Sequence, residues 1–219
     1  MLASLLLGVL CLGLHQGTRG DYSCSGTALT AGERILMVEL HNMRRREVAS
    51  GIVNNGISGT KLLQARNMRK IDYDCALETD AQTVADSCTL TQTPEDKRPS
   101  YGENIAVIEP SGATYTNGQL LANAADQWFT EILRNGMNKE THFIPYFRDK
   151  PISPLRWTQM VWAKSNKIGC GVKNCFGTFY FVVCRYSPKG NVLYDHVYTT
   201  GTPCTQCESG CSSDGILCN

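Results

Sequence analysis

Apolar residues recur at helical spacing in three separate stretches of the chain. The first stretch follows a capping box formed by Thr30 and Glu33, which predicts a helix that begins there and ends at Gly51. A second helix is predicted to begin near Asp74, and a third is predicted over residues 117–133. In each stretch the apolar side chains share one stripe, as in a helix that packs against a core.

Strand patterns dominate the last third of the chain. A short strand is predicted over residues 101–110, and three more are predicted over 157–162, 167–174 and 178–186. The last two are joined through Cys175-Phe176-Gly177, where glycine at the turn is typical of a hairpin. Helices grouped early and an antiparallel sheet assembled late indicate an α+β or layered fold.

An apolar leader precedes these elements. Its apolar centre and small terminal residues predict a cleaved signal peptide over residues 1–20, and therefore a secreted, extracellular protein. Of the 11 cysteines, only Cys11 lies in this leader. An even number of cysteines in an exported chain indicates disulfides, although their spacing alone leaves the pairing open. The alternative is a cytosolic protein with free or zinc-bound thiols, which the leader disfavours.

The mature chain is predicted to hold one domain over residues 21–200 and a disulfide-linked tail over residues 201–219. The domain is long enough to bury a core, whereas the tail has almost no apolar residues and is expected to depend on cross-links. The chain has 21 basic and 20 acidic residues, and loss of Arg19 with the leader balances the two. This balance argues against a nucleic-acid partner. No second apolar stretch is long enough for a transmembrane segment.

Four ordered motifs carry a resemblance to a known family. They are His41-Asn42 with Arg45, Gly102-Glu103-Asn104-Ile105, the run 157–162 followed by Gly169-Cys170-Gly171, and the run 181–191. In this order they resemble the motifs of the CAP superfamily, which comprises the cysteine-rich secretory, antigen 5 and pathogenesis-related 1 proteins. The resemblance covers residues 30–195. The short cysteine-rich tail is similar to that of single-domain venom allergen-like (activation-associated secreted) proteins of parasitic nematodes.

This resemblance implies a fold and a disulfide pattern. The fold is a three-layer α-β-α sandwich, in which a three-stranded antiparallel sheet lies between helical layers beside a central cleft. The implied disulfide pairs are Cys24–Cys75, Cys88–Cys175, Cys170–Cys184, Cys204–Cys211 and Cys207–Cys218.

The resemblance also implies a cleft with two histidines and two glutamates that can bind a divalent cation. The glutamates correspond to Glu103 and Glu131, whereas Gln92 and Arg156 stand at the two histidine positions. Glutamine is a weak ligand, and arginine cannot coordinate a metal because its guanidinium stays protonated. We therefore expect no metal or other cofactor. Arg156 either forms an ion pair with the two carboxylates or points to solvent.

Catalysis is the least favoured function. The mature chain has three histidines, His41, His142 and His196, and none lies in a recognised catalytic context. Two carboxylates beside an arginine lack the raised pKa that a general acid needs. We predict a non-enzymatic protein, with a metal-dependent hydrolase as the less favoured alternative.

Lipid binding is the function that the resemblance implies, with a sterol or a fatty acid as the partner. A sterol would use a loop whose aromatic residues here are Phe143, Tyr146 and Phe147. A fatty acid would lie between the first and third helices, whose candidate residues also suit a packed core: Ile35, Leu36, Val38, Leu40, Leu121, Ala124, Trp128 and Ile132. We therefore predict a secreted lipid-binding protein that acts at a host-parasite interface. The alternative is a secreted protein ligand or immunomodulator that acts through a host receptor.

Overall fold

The computed structural model describes residues 22–25, 28–110, 112 and 114–219. The predicted signal peptide lies outside these residues. The helices are α1 (Ala31–Ala49), α2 (Cys75–Asp86), α3 (Asn117–Asn135), α4 (Pro145–Arg148) and α5 (Leu155–Met160). The strands are β1 (Asp72–Tyr73), β2 (Gly102–Ile108), β3 (His142–Phe143), β4 (Lys167–Cys175), β5 (Phe179–Ser187) and β6 (Asp195–His196). Across these ranges, no helix has the length and apolar character needed to cross a membrane.

The three long helices begin where the sequence predicts. The Thr30 hydroxyl accepts from the Glu33 backbone N–H, and the Glu33 carboxylate accepts from the Thr30 backbone N–H. Asp74 caps α2, and Thr116 with Gln119 forms a second capping box before α3. Each cap supplies an acceptor to N–H groups that have no partner within the helix.

The central sheet has the strand order β1-β4-β5-β2. Strands β4, β5 and β2 pair antiparallel, as the resemblance implies. The two-residue β1 pairs with β4 in parallel, which the sequence analysis did not anticipate because so short a segment has no alternating pattern. Strands β3 and β6 form a separate two-stranded sheet.

Side chains along β5 alternate between two helical layers. Phe181 and Val183 pack against α2 in a small apolar cluster. Val182 and Cys184 point to the opposite face, into the larger core that contains α1 and α3. Both faces of the sheet are therefore covered, and the predicted three-layer α-β-α sandwich is confirmed.

Two glycines on β4 allow α2 to lie directly on the sheet. A Cβ atom at Gly169 would lie 2.2 Å from the backbone nitrogen of Glu78, and one at Gly171 would lie 2.5 Å from the Cα of Gln82. Neither position has room for a side chain. The close packing of α2 thus accounts for the Gly-Cys-Gly sequence.

The predicted strand over residues 157–162 is wrong. This segment lies in and after α5, and its side chains from Trp157 to Met160 are all buried. Because the polar Thr158 and Gln159 are also buried, neither a helical nor a strand period shows in the sequence. Tertiary packing determines the conformation here.

Five disulfides connect the ten cysteines of the described residues. The pairs coincide with those that the resemblance implies: Cys24–Cys75, Cys88–Cys175, Cys170–Cys184, Cys204–Cys211 and Cys207–Cys218. The second of these spans 87 residues and joins the end of α2 to the sheet. In the chain-entropy description, a loop of that length stabilises the fold by about 4.6 kcal/mol.

The C-terminal tail was expected to depend on cross-links, but non-covalent contacts attach it to the domain. Both of its disulfides are internal, so neither ties it to the domain. Leu217 is instead fully buried in the main core. The Cys218 backbone N–H donates to Met68 O, and its carbonyl accepts from Lys70 N–H. A single fully buried apolar residue, Leu217, therefore anchors the tail to the domain, and the composition of the tail gave no sign of this contact.

Arg45 is the most heavily bonded side chain of the first-helix motif. It is fully buried and has no acidic partner within the described chain. Its guanidinium donates to five backbone carbonyl oxygens, those of Arg69, Met160, Trp162, Ala163 and Ser165. Burial lowers the pKa of Arg45 to about 9, which leaves it charged at neutral pH. The carbonyl dipoles take the place of a counter-ion.

His41 is buried one turn before Arg45. Its Nδ1 lies 2.8 Å from Met37 O, and its Nε2 lies 2.9 Å from the Tyr186 hydroxyl. Tyr186 also accepts from Asn104 Nδ2, at 3.3 Å. Burial lowers the pKa of His41 to about 4, so the ring is neutral at physiological pH.

We predict that acid destabilises the protein through His41. In the unfolded chain the histidine pKa returns to its ordinary value of about 6.5, so the unfolded state binds more protons below that pH. The free energy of unfolding should fall by about 3 kcal/mol as the pH drops from 6.5 to 4, and the histidine contribution should then level off. Urea denaturation at several pH values measures this change.

The matched comparison is between His41→Gln and His196→Gln, because His196 is exposed. The first variant should lose the histidine component of the pH dependence, and the second should retain it. Equal pH dependence of the two variants would refute the assignment.

Candidate ligand-binding cleft

The four cleft positions predicted from the sequence meet around one hollow. Gln92 lies in the loop after α2, Glu103 on β2, Glu131 on α3 and Arg156 on α5, and all four line a hollow of about 300 Å³. The two carboxylates, however, have separate cationic partners. Of the two alternatives for Arg156, neither holds in full: Arg156 pairs with Glu131, whereas Glu103 pairs with Arg185.

Glu103 is neutralised from the sheet. Its carboxylate is completely buried and lies 2.9 Å from Arg185 Nη1, a close charge contact. It also accepts from the backbone N–H and the hydroxyl of Thr93, at 2.7 and 2.9 Å. Arg185 is itself buried and makes a second ion pair with Asp80, at 2.8 Å. Donors and cations thus surround the Glu103 carboxylate.

Sequence reasoning missed Arg185 as the partner of Glu103. It stands directly opposite Glu103 in the antiparallel pairing of β5 with β2. Oppositely charged residues at facing positions attract one another. The register that would identify the pair depends on the long connection between the two strands, so it cannot be read from local pattern.

Glu131, on α3, caps α5 and pairs with Arg156. One carboxylate oxygen accepts from the backbone N–H groups of Arg156 and Trp157, at 2.9 and 3.2 Å. The other accepts from Arg156 Nη1 at 2.8 Å. The Arg156 side chain remains 52% exposed. Glu131 therefore holds the start of α5 against α3, and Arg156 covers the outer side of this contact.

The residues at these positions do not fit a metal ion. Gln92 donates its amide to the Glu103 carbonyl oxygen at 2.8 Å, and both carboxylates already accept from several donors. Arg156 places a positive charge where a cation would have to bind. Within the ranges that the structure describes, no three side chains of His, Cys, Asp or Glu cluster in a way that could hold a metal.

A second, larger hollow adjoins the first. It measures about 740 Å³ and lies between the C-terminal half of α3 and the segment 148–156. Five residues line both hollows: Glu131, Arg148, Ser153, Leu155 and Arg156. The two hollows share this wall and are together called the cleft. The smaller, polar hollow is its inner part, and the larger hollow, which contains more basic side chains, is its outer part.

The residues proposed to bind a fatty acid lie mostly in the core. Val38, Leu121, Ala124, Trp128 and Ile132 are buried, whereas Ile35, Leu36 and Leu40 are half-buried. Of the eight, only Trp128 lines either hollow. The contact between α1 and α3 is closed by Arg44, which pairs with Asp126 and lies 4.3 Å from the centre of the Phe129 ring.

The aromatic residues proposed for a sterol loop are likewise partly buried in the core and partly exposed. Phe143 and Phe147 are buried, and Tyr146 is 86% exposed. Of the three histidines, His41 is internal, and His142 stacks on His196 with ring centres 4.7 Å apart. None of these histidines lines the two hollows.

Comparisons with known proteins agree on one family. The family model described as the cysteine-rich secretory protein family, CAP, matches residues 38–186. Ancylostoma secreted protein from Ancylostoma caninum is 31% identical over 198 residues, which cover 89% of this chain and 46% of that protein. This chain spans a third to a half of the length of several such relatives.

Solved structures share the fold of this chain. The crystal structure of NaASP2 with Zn²⁺ has a TM-score of 0.81 and 29% identity, and the match covers 90% of this chain and all of that one. The structure of BmVAL-1 has a TM-score of 0.82 and 29% identity, and the match covers 90% of this chain and 98% of that one.

Replacement of Glu103 should destabilise the fold. The variant Glu103→Gln leaves the buried Arg185 with only the half-exposed Asp80, and loss of one partner from a buried ion pair costs about 3 to 5 kcal/mol. Urea denaturation measures the loss. The control is Glu95→Gln, which removes an exposed partner of Lys189 and should cost less than about 1 kcal/mol. Equal losses would show that the Glu103–Arg185 pair contributes little.

We also expect the protein to lack a tight zinc site. Added zinc should leave its thermal midpoint unchanged, because only a ligand that prefers the folded state raises it. The double variant Gln92→His/Arg156→His should gain zinc binding through two imidazoles and Glu131, and addition of Glu131→Ala should abolish it. Submicromolar zinc binding by the unmodified protein, measured by calorimetry, would contradict this account.

Proposed function

Because this chain belongs to the CAP family of cysteine-rich secretory proteins, we propose that it is a secreted, non-catalytic protein that carries a hydrophobic small molecule, either a sterol or a fatty acid. The observation that carries the non-catalytic part is the double ion pairing of Glu103 with Arg185 and of Glu131 with Arg156. Five disulfides fit an extracellular protein.

The state of the two carboxylates argues against catalysis. A general acid must hold a proton near neutral pH, and a general base must have a free lone pair that faces the substrate. The Glu103 carboxylate is buried against Arg185 and accepts from Thr93, so its oxygens are not free to exchange a proton with a substrate. Glu131 accepts from two backbone N–H groups and from Arg156, so it serves as a structural anion.

The size and walls of the cleft favour a small ligand. Volumes of about 300 and 740 Å³ fall in the range of small-molecule sites. Apolar contacts are available from Ile152 and Leu155 on the outer wall. A site between α1 and α3 would require these helices to separate, since their facing residues are buried. The cleft is therefore the proposed place of binding, and half-buried Ile35, Leu36 and Leu40 remain candidates on the surface of α1.

A second candidate function is that of a protein ligand for a host receptor. The observation that favours it is Phe176, which is 90% exposed at the tip of the β4–β5 hairpin. The neighbouring Cys175 is tied to Cys88, so the tip is held rigidly. An exposed aromatic side chain on a rigid support suits a protein contact.

Lipid carriage is tested by extracting the purified protein with organic solvent for mass spectrometry and by titrating it with cholesterol and with a long-chain fatty acid. We expect micromolar binding of at least one of these, and no hydrolysis of ester or peptide substrates. The variant Ile152→Ser should weaken binding about tenfold, because it removes apolar contact area from the outer wall. The matched control Ile57→Ser changes a more exposed isoleucine outside the cleft and should have no effect.

Two results would overturn this proposal. If neither lipid binds at micromolar concentration, lipid carriage fails and the receptor-ligand function takes its place. If the protein hydrolyses a substrate and Glu103→Gln or Glu131→Gln abolishes the turnover, the non-catalytic assignment fails.

A further inference from the structure

The larger hollow carries an excess of positive charge. Four basic side chains line it, those of Arg134, Arg148, Lys150 and Arg156, whereas Glu131 is the only acidic residue among the described residues in its wall. The charges of the full sequence are nearly balanced, with 21 basic and 20 acidic residues, so this concentration is local.

Two of the four cations already have acidic partners. Arg156 Nη1 lies 2.8 Å from Glu131, and Arg148 contacts Asp149 at 2.5 Å. These pairs leave little charge for a ligand to neutralise.

The other two cations have no acidic partner in the described chain. Lys150 Nζ donates to the carbonyl oxygens of Asn135 and Gly136, at 2.8 and 3.1 Å, and so caps the C-terminal end of α3. Its partial burial lowers its pKa. Arg134, in the last turn of α3, is exposed and forms no hydrogen bond or ion pair with any described residue.

Apolar and unpaired polar groups lie beside these cations. Pro151, Ile152 and Leu155 form one wall, and Ile152 is 68% exposed to the hollow and solvent. The Ser153 hydroxyl, on the wall shared with the smaller hollow, is buried and has no hydrogen-bond partner among the residues that the structure describes. The hollow therefore presents unneutralised cations, an apolar wall and a free hydroxyl together.

We propose that this hollow binds an amphiphile with an acidic head group, with the head near Arg134 and Lys150 and the apolar chain along Pro151, Ile152 and Leu155. The inference rests on the proposed carriage of a hydrophobic ligand and narrows it to a carboxylate-bearing lipid. An uncharged sterol would leave both cations without a counter-charge. The attraction acts across a half-open hollow, so it is sensitive to salt.

The test compares dodecanoate with dodecanol, which has the same chain length and no charge, by calorimetry at low ionic strength. The protein should bind dodecanoate at least fivefold more tightly than dodecanol. Arg134→Gln should weaken dodecanoate binding about five- to tenfold and leave dodecanol binding unchanged. The control Lys139→Gln removes the same charge from an exposed position outside the hollow and should leave both affinities unchanged.

Four outcomes overturn the inference. Equal effects of Arg134→Gln and Lys139→Gln, or equal affinity for dodecanoate and dodecanol, reject the head-group site while lipid carriage stands. Acetate or inorganic phosphate bound as tightly as dodecanoate rejects the apolar part of the site. Failure to bind dodecanoate, dodecanol and cholesterol alike rejects both this inference and the proposed function.

Discussion

The position of the cleft depends on the hydrogen bonds that the buried Arg45 guanidinium donates to backbone carbonyl oxygens. Its five carbonyl acceptors belong to the segment before β1 and to the segment from the end of α5 to the start of β4. A buried charge without such partners would cost several kcal/mol. The chain around residues 160–165 must therefore keep its carbonyl groups turned toward α1. This orientation fixes the end of α5, while Glu131 fixes its beginning.

The ion pairs of the cleft follow from that arrangement. Once α5 is fixed, Arg156 lies beside Glu131, and the pairing of β5 with β2 brings Arg185 opposite Glu103. Each carboxylate is held by a cation from a different element. Ion pairs thus neutralise both carboxylates of the cleft. The cations without an acidic partner in the described chain, Arg134 and Lys150, lie in the larger hollow.

Local signals in the sequence were sufficient for the starts of the three long helices and for strands β2, β4 and β5, but not for β1, for α5 or for the contacts within the cleft. Capping residues such as Thr30 and Asp74 bond to N–H groups within the first turn of their own helix, so the helix starts can be recognised from the local sequence alone. The conformation of residues 157–162 depends on burial from all sides, and the pairing of Glu103 with Arg185 depends on strand register. The family resemblance supplied the positions of the cleft residues, whereas their partners required three-dimensional contacts.

Both disulfides of the C-terminal tail lie within the tail, and this has a consequence for oxidative folding. Its cysteines are separated from their partners by only 7 and 11 residues, whereas Cys88 and Cys175 are 87 residues apart. Short loops close at lower entropic cost and more rapidly than long ones. The tail can therefore oxidise on its own while the domain is still unfolded. Four thiols are then withdrawn from competition before the distant pair has to form, and the number of wrong partners for Cys88 and Cys175 falls accordingly.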